Sequence, residues 1–376
     1  MAVRFKVFSR AGDIERQIWN SLSAHASPMM EWEYFNALES SGSVSRERGY
    51  RPCHLMAYED DRPVALAPLY ERDRAWVEFG DGGLIEFMTE LTGIPYNQGI
   101  VGAIPYTPVP GYQFLHRPEF GAARAGSMLL DHIDHLCDAR GLSTSRIYFV
   151  ASRAHELHSL LAGHGYAHLR SSYSLWFNRD FSTFDDYLGT FKSSRRTKIK
   201  RELRTVRDLG LKVDMVPGEE APAGYADSMY ELYVRTWRKH MGPAIRPFLN
   251  HAFFKQLRES FSHRISYSVA SRSEDIVAMA LFYHKNRELF GRYWGCFEEV
   301  PFLHFATCYY HPIGHAIQNG FEVMDPGFGG EHKLVRGYEV VPVHHYIKFH
   351  GEEQRRVANS ILRQVREHPM FDMDEV

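Results

Sequence analysis

The sequence predicts a mixed α/β (α+β) fold built as two similar halves, and three observations carry that prediction. Helical and strand-like apolar periodicities alternate along the chain. Its 376 residues exceed one ordinary domain and suit two. The order of elements in the first half recurs in the second, with matching residues at one constant offset.

Taken in order, "RFKVFS" reads as a strand, "DIERQIWNSL" and "EWEYFNALESS" as helices, and "HLMAY", "PVALAPLYE" and "AWVEF" as a strand meander. A Gly- and Pro-rich passage from Asp81 to Gly111 interrupts the pattern, "SMLLDHIDHLCDARG" reads as a helix closed by Gly141, and "RIYFV" as a strand. The second series runs from "LKVDMV" as strand through "YADSMYELYVRTWRKH" and "HAFFKQLRESF" as helices to "RISYSVA", "DIVAMALFYH" and "ELFGRYWG" as strands. It finishes with the helix "HFATCYYHPIGHAIQNG", closed by Gly320, and the strand "FEVMD". Val64, Ala65, Ala67, Tyr70 and Arg74 match Val277, Ala278, Ala280, Tyr283 and Arg287, so a duplicated unit of order β-α-α-β-β-β-α-β is expected.

Composition sets limits on function. Lys plus Arg number 44 against 46 Asp plus Glu, so no global charge draws the chain to nucleic acid or anionic membrane, and any anion binding must be local. The four cysteines are widely spaced with no C-x-x-C, which speaks against a zinc knuckle or a disulfide framework and makes a reducing cytoplasm the expected location. The first residues carry no apolar core of a signal peptide, and no run approaches ~18 uninterrupted apolar residues.

Three antiparallel strands leading into a helix and a parallel strand is the layout of the acyl-CoA N-acyltransferase (GNAT) fold, here expected in tandem. The segments "GRYWGCFEEVPFLHFATCYYHPIGHAIQNG", "GEHKLVRGYEVVP", "PYTPVPG", "YELYVRTWRKH" and "SPMMEWEYFNALESSGSV" carry a closer resemblance. They are similar to signature segments of the FemAB-like proteins, a bacterial group of peptidoglycan biosynthesis or recognition proteins, over roughly the whole chain. The resemblance implies a transferase akin to the enzymes that pass an amino acid from aminoacyl-tRNA to a peptidoglycan-precursor peptide. The expected organisation is a GNAT-like domain over 1–180, a basic linking helix over 181–210, and a second GNAT-like domain over 211–376 that carries the active site.

An amide-forming transferase needs a bound acyl donor, a neutral amine, and donors aimed at the developing oxyanion. Coenzyme A users of this fold cradle the pyrophosphate in a glycine-rich turn after the fourth strand. Here that turn is "GCFEEVPFLHF", where Glu298 and Glu299 would repel a diphosphate. Aminoacyl-tRNA is therefore the expected co-substrate, acyl-CoA the less favoured donor, and a peptide or phosphorylated small molecule the expected acceptor. A protein that kept the fold as a non-catalytic binder is the alternative.

Two stretches could hold such ligands. In "FKSSRRTKIKRELRTVRDLG" the apolar residues Ile199, Leu203 and Val206 mark a buried helix face beneath many cations. Ser193 or Ser194 can cap it, placing Arg195, Arg196 and Lys198 over its positive end to bind phosphate. The rival view is a solvated helix between the two halves. The second stretch is "PGFGGEHKLVRGYEV", where Gly327, Gly329 and Gly330 permit backbone shapes closed to other residues. Lys333 and Arg336 would share a face there and take a phosphate or carboxylate of the acceptor, the rival being a solvated turn. Glu331, His332 and Asp325 are the candidates for base work, and Arg292 and Tyr293 of the family-like "GRYWG" join the substrate-binding candidates. His304, Cys308, His311 and His315 form one stripe at helical spacing that could hold a transition metal. Without H-E-x-x-H or a second Cys pair, core packing is the expected role and no metal is expected.

Overall fold

The computed structural model describes residues 3–73 and 79–366, the side chains of residues 331, 365 and 366 excepted. Two units make up the chain, residues 1–172 with 342–376, and residues 173–341. The sequence boundaries are corrected accordingly: the chain crosses to the second unit inside a strand at Tyr173 and returns to the first at Pro342.

In the first unit the elements are β1 (Val3–Phe8), α1 (Arg16–Leu22), α2 (Trp32–Ser40), β2 (Arg51–Pro52), β3 (His54–Glu59), β4 (Arg62–Ala67), β5 (Tyr70–Arg72), α3 (Leu84–Thr92), β6 (Gly99–Gly102), β7 (Leu115–His116), α4 (Ala122–Arg140), β8 (Thr144–Val150), α5 (His155–Gly163) and the start of β9 (Ala167–Phe177). One sheet has the order β1-β3-β4-β7. In the other, β8 pairs parallel with β6, which pairs antiparallel with β5.

The expected strand "PVALAPLYE" is broken at Pro68, which offers no N–H to a ladder; its carbonyl instead accepts the Tyr112 hydroxyl at 2.8 Å. The passage from Asp81 to Gly111 contains α3 and β6. Leu84, Ile85 and Met88 bury one face of α3, and Gly83 and Gly93 bound it with positive φ. Arg74 and most of "AWVEF" lie outside the described residues.

The second unit holds the end of β9, then α6 (Phe184–Gly189), α7 (Ser193–Asp208), β10 (Lys212–Pro217), α8 (Tyr225–Met241), α9 (His251–Phe261), β11 (Ile265–Arg272), β12 (Asp275–Lys285), β13 (Glu288–Cys296), α10 (Leu303–Phe305), a π-helical turn (Ala306–Tyr310), α11 (His311–Gln318), β14 (Val323–Asp325), a 3-10 turn (Glu331–Arg336) and the start of β15 (Glu339–Phe349). The strands β10 to β13 form an antiparallel series, β14 joins β13 in parallel, and Trp176 and Phe177 of β9 pair with β14. The rest of β15 and α12 (Glu352–Arg366) belong to the first unit.

The duplication shows at the level of single pairs. Ala57 faces Ala65 in the β3–β4 hairpin, and Ala270 faces Ala278 in the β11–β12 hairpin. The register slips right after Ala57 in one and right after Ala270 in the other, so even the bulge is repeated.

The basic helix α7 is no linker. Ile199 and Val206 enter the apolar cores of the second unit, with Trp176, Tyr310 and Ile313 around the first and Val213 and Ala278 around the second. Lys192 is the N-cap residue and makes no side-chain capping bond, so Ser193 and Ser194 lie inside the first turn instead of capping it.

Candidate active site

Strands β13 and β14 run together only over Glu288–Phe290 and Val323–Asp325; beyond Phe290 and Asp325 they part, and β13 continues to Cys296. At the parting point β13 is bulged. Leu281 of β12 faces Tyr293 while its neighbour Phe282 faces Gly291, leaving Arg292 as the extra residue. The bulge is consistent with the way Arg292 reaches Asp325: an Nη2 donates to the carboxylate at 2.9 Å.

Asp325 is 1% exposed and already fully engaged. The Tyr173 hydroxyl donates to Oδ1 at 2.8 Å and the Gly327 N–H to the same oxygen at 2.7 Å. Arg292, Tyr173 and the Gly327 amide all converge on this buried carboxylate, which places Asp325 as an internal anchor of the loop, where a catalytic base was expected. The anion that the Gly327 amide meets is thus the chain's own carboxylate.

Lys333 lies buried, 2% exposed, and its Nζ donates to the Gly327 carbonyl, closing the glycine loop on itself. Burial pushes its amine down from 10.5 to about 8; Asp325 opposes that shift and Arg292 adds to it. A lysine in this state still carries a proton at neutral pH and stands close to losing it. Gly327, Gly329 and Gly330 all have positive φ, at 89°, 75° and 96°. Gly330 is further constrained, because a Cβ there would come within 2.6 Å of the His332 ring.

Arg336, expected to meet an acceptor anion, points inward. Its Nε donates to the Tyr310 hydroxyl at 2.8 Å, Nη1 to the His332 carbonyl at 2.8 Å, and Nη2 to Glu202 at 3.1 Å, with the guanidinium 3.5 Å above the Phe305 ring. It is a structural cation, and this corrects its assignment to the acceptor. Glu202, Tyr310 and Tyr173 were not singled out from sequence, yet one signal was present. Ile199, Glu202, Leu203 and Val206 recur at helical spacing, which puts an acid on the apolar face of α7.

His332 is half-buried, and its Nε2 lies 2.9 Å from the Tyr309 hydroxyl. Burial, with the nearby charges of Arg336 and Lys333, lowers its pKa and keeps the imidazole neutral at pH 7. His304 lies 5.7 Å from it, ring centre to ring centre, and burial drives it down to about 3. The Glu331 side chain lies outside the described residues. Tyr293 packs on Tyr233 and Phe254 at 5.4 and 5.3 Å.

The His/Cys stripe is dispersed. A π turn inserts an extra residue per turn between His304 and His311 and rotates the helix downstream of it. His304 faces Trp294 and His332, His311 lies near Asp214, and His315 contacts Asn319 and Phe321. Among the described residues no group of three His, Cys, Asp or Glu side chains could hold a metal ion.

On α7, Arg195 and Arg196 are half-buried and Lys198 is exposed, and none of the three forms an ion pair among the described residues. The turn after β13 is occupied by the chain's own charges. Glu298 takes two bonds from Arg272, at 2.7 and 3.3 Å, and Glu299 one from Lys239.

No curated protein sequence matches significantly. Among solved structures, FemX aligns over 94% of this chain and 99% of its own at TM-score 0.57 and 10% identity. The C-terminal domain assigned to a lysylphosphatidylglycerol synthetase from Agrobacterium fabrum aligns over 93% and 96% at TM-score 0.55 and 10% identity. L-PGS from Bacillus licheniformis aligns over 88% and 94% at TM-score 0.51 and 11% identity. At such identities the likeness establishes the fold. The family is established by sequence over nearly the whole length: residues 10–376 match the FemAB-like family of peptidoglycan biosynthesis/recognition proteins, and the chain belongs to it.

Proposed function

We propose that this FemAB-like protein is an aminoacyltransferase whose second unit passes an aminoacyl group from aminoacyl-tRNA to an amine of a peptidic or phosphorylated small-molecule acceptor. The family description favours a peptidoglycan-precursor peptide as acceptor. The observation that carries the reading is Lys333, a buried ammonium with one carbonyl partner beside the parting of β13 and β14.

In this reading the acceptor amine attacks the ester carbonyl of the donor and forms the C–N bond. The carbonyl oxygen takes up negative charge, which the Lys333 ammonium stabilises in a site of low dielectric. Collapse breaks the C–O bond to the terminal ribose. The proton given up by the amine passes to the ribose oxygen, with neutral His332 placed to carry it. Asp325, Arg292 and Tyr173 hold the loop, and Arg195, Arg196 and Lys198 bind donor phosphates. The turn after β13, "CFEEVPFLHF", has no glycine-rich cradle for a diphosphate, which supports aminoacyl-tRNA over coenzyme A as donor. No described helix is long and apolar enough to cross a membrane, and a tRNA donor calls for a reaction in the cytoplasm.

The test incubates the protein with a mixture of charged tRNAs carrying labelled amino acids and a nucleotide-linked peptidoglycan-precursor peptide. The expected product is that peptide heavier by one aminoacyl group, with Lys333→Met slowing its formation by about 100-fold or more. Transfer from an acyl-CoA but from no charged tRNA would sink the reading.

A further inference from the structure

We propose that Glu202 is a positioning residue for Lys333: from the inner face of α7 it holds Arg336 and so fixes the 3-10 turn that carries the amine. Lys333 and Arg336 stand three apart in that 3-10 turn, where side chains at i and i+3 eclipse, so restraining one restrains the other. The turn is pinned at both ends. At its start the Lys333 amine holds the Gly327 carbonyl. At its end Tyr187 donates to the Arg336 carbonyl at 2.8 Å, while Glu202 accepts from both Tyr310 and Arg336.

The Glu202 carboxylate is the anionic partner of Arg336 among the described residues. Tyr310, Tyr187 and the His332 carbonyl are neutral, and neutral His304 and His332 lie nearby. Without Glu202 a buried guanidinium would be left uncompensated and would move toward water, drawing the turn with it. Lys333, which otherwise faces Asp325, Arg292 and Cys308, would then gain solvent. The outer face of the same helix carries Lys198, Arg201 and Arg204 exposed. One helix thus presents cations to a ligand and places the amine that would act on it.

The kinetic side of this proposal rests on the aminoacyl-transfer reading; the structural side does not. Competitive acylation of the full chain with an amine-selective anhydride over a pH series, read by peptide mass spectrometry, gives the Lys333 titration midpoint without any substrate. Glu202→Gln is expected to raise the midpoint by about one unit, a tenfold change in the neutral fraction at a given pH. Tyr310→Phe removes the hydroxyl shared by Glu202 and Arg336 while leaving both charges paired, and should move the midpoint the same way by less. With an identified donor and acceptor, Glu202→Gln should lower kcat and leave the donor KM unchanged, since the outer cations are intact. Unshifted midpoints in folded variants would show Glu202 to be a structural partner only and overturn the proposal. Should Glu202→Gln fail to fold, Tyr310→Phe decides alone. A shifted midpoint in a protein that transfers nothing from tRNA would sink the functional reading and keep this one; full transfer with an unshifted midpoint would do the reverse.

Discussion

Glu202 on α7 and Arg336 at the end of the site loop form an ion pair at 3.1 Å with side chains only 1% and 4% exposed. Breaking a pair this deep leaves an uncompensated buried charge. Arg336→Ala should therefore lower unfolding stability by about 3 to 5 kcal/mol, whereas Arg201→Ala, exposed on the outer side of the same helix, should stay within about 0.5 kcal/mol. Denaturant titration checks both. Equal small effects would mean that the pair is not buried in solution.

Lys333 gives stability a pH dependence of definite sign. Its pKa is about 8 when folded and 10.5 when exposed, so between those values the unfolded chain binds the extra proton. Stability from this group thus rises as pH climbs from about 8 to 10.5, by about 3 kcal/mol at most. The gain should appear as the difference between wild type and Lys333→Met in denaturation midpoints at the two ends of that window. Parallel behaviour of the two proteins would rule out a depressed lysine. Activity should move oppositely, falling as pH rises through about 8, because the ammonium is the working form.

Gly330 and Gly329 separate backbone strain from crowding. Both have positive φ, but a Cβ at Gly329 meets nothing within 4 Å while one at Gly330 strikes the His332 ring. Gly329→Ala should cost about 1 kcal/mol of strain, and Gly330→Ala should cost more and displace His332. Gly330→Val should abolish transfer as fully as Lys333→Met. Near-normal turnover of Gly330→Val would remove the loop from the site.

The combined variant Arg195→Ala, Arg196→Ala, Lys198→Ala should weaken binding of charged tRNA and flatten its dependence on salt, by about 0.7 to 0.9 in the log–log slope for each phosphate no longer neutralised. Melting temperature should hardly change. Binding isotherms at several salt concentrations read the slope, and an unchanged slope would leave these three cations of α7 without a ligand.

Much of the second unit was legible in the sequence because its signals are local. Helices α8 and α9 follow from apolar spacing, and Asn250 caps α9 by accepting the Phe253 N–H at 3.1 Å. The matched residues of the two hairpins carried the duplication, since period-two alternation fixes which face each alanine takes. The glycines at 327, 329 and 330 announced a loop of unusual backbone, and the cations of α7 announced an outer face for anions.

What the sequence could not assign was the partner of each charge. Arg336 and Lys333 look alike in "EHKLVRG", yet Arg336 meets an acid 134 positions away and Lys333 meets the carbonyl of its own loop. Asp325 reads as a base at a strand end until Tyr173, Arg292 and the Gly327 amide converge on it. The π turn that scatters the histidine stripe likewise depends on packing. Periodicity and turn chemistry act over a few residues and are written in sequence; the choice of partner for a buried charge is made by desolvation, which exists only once distant segments have come together.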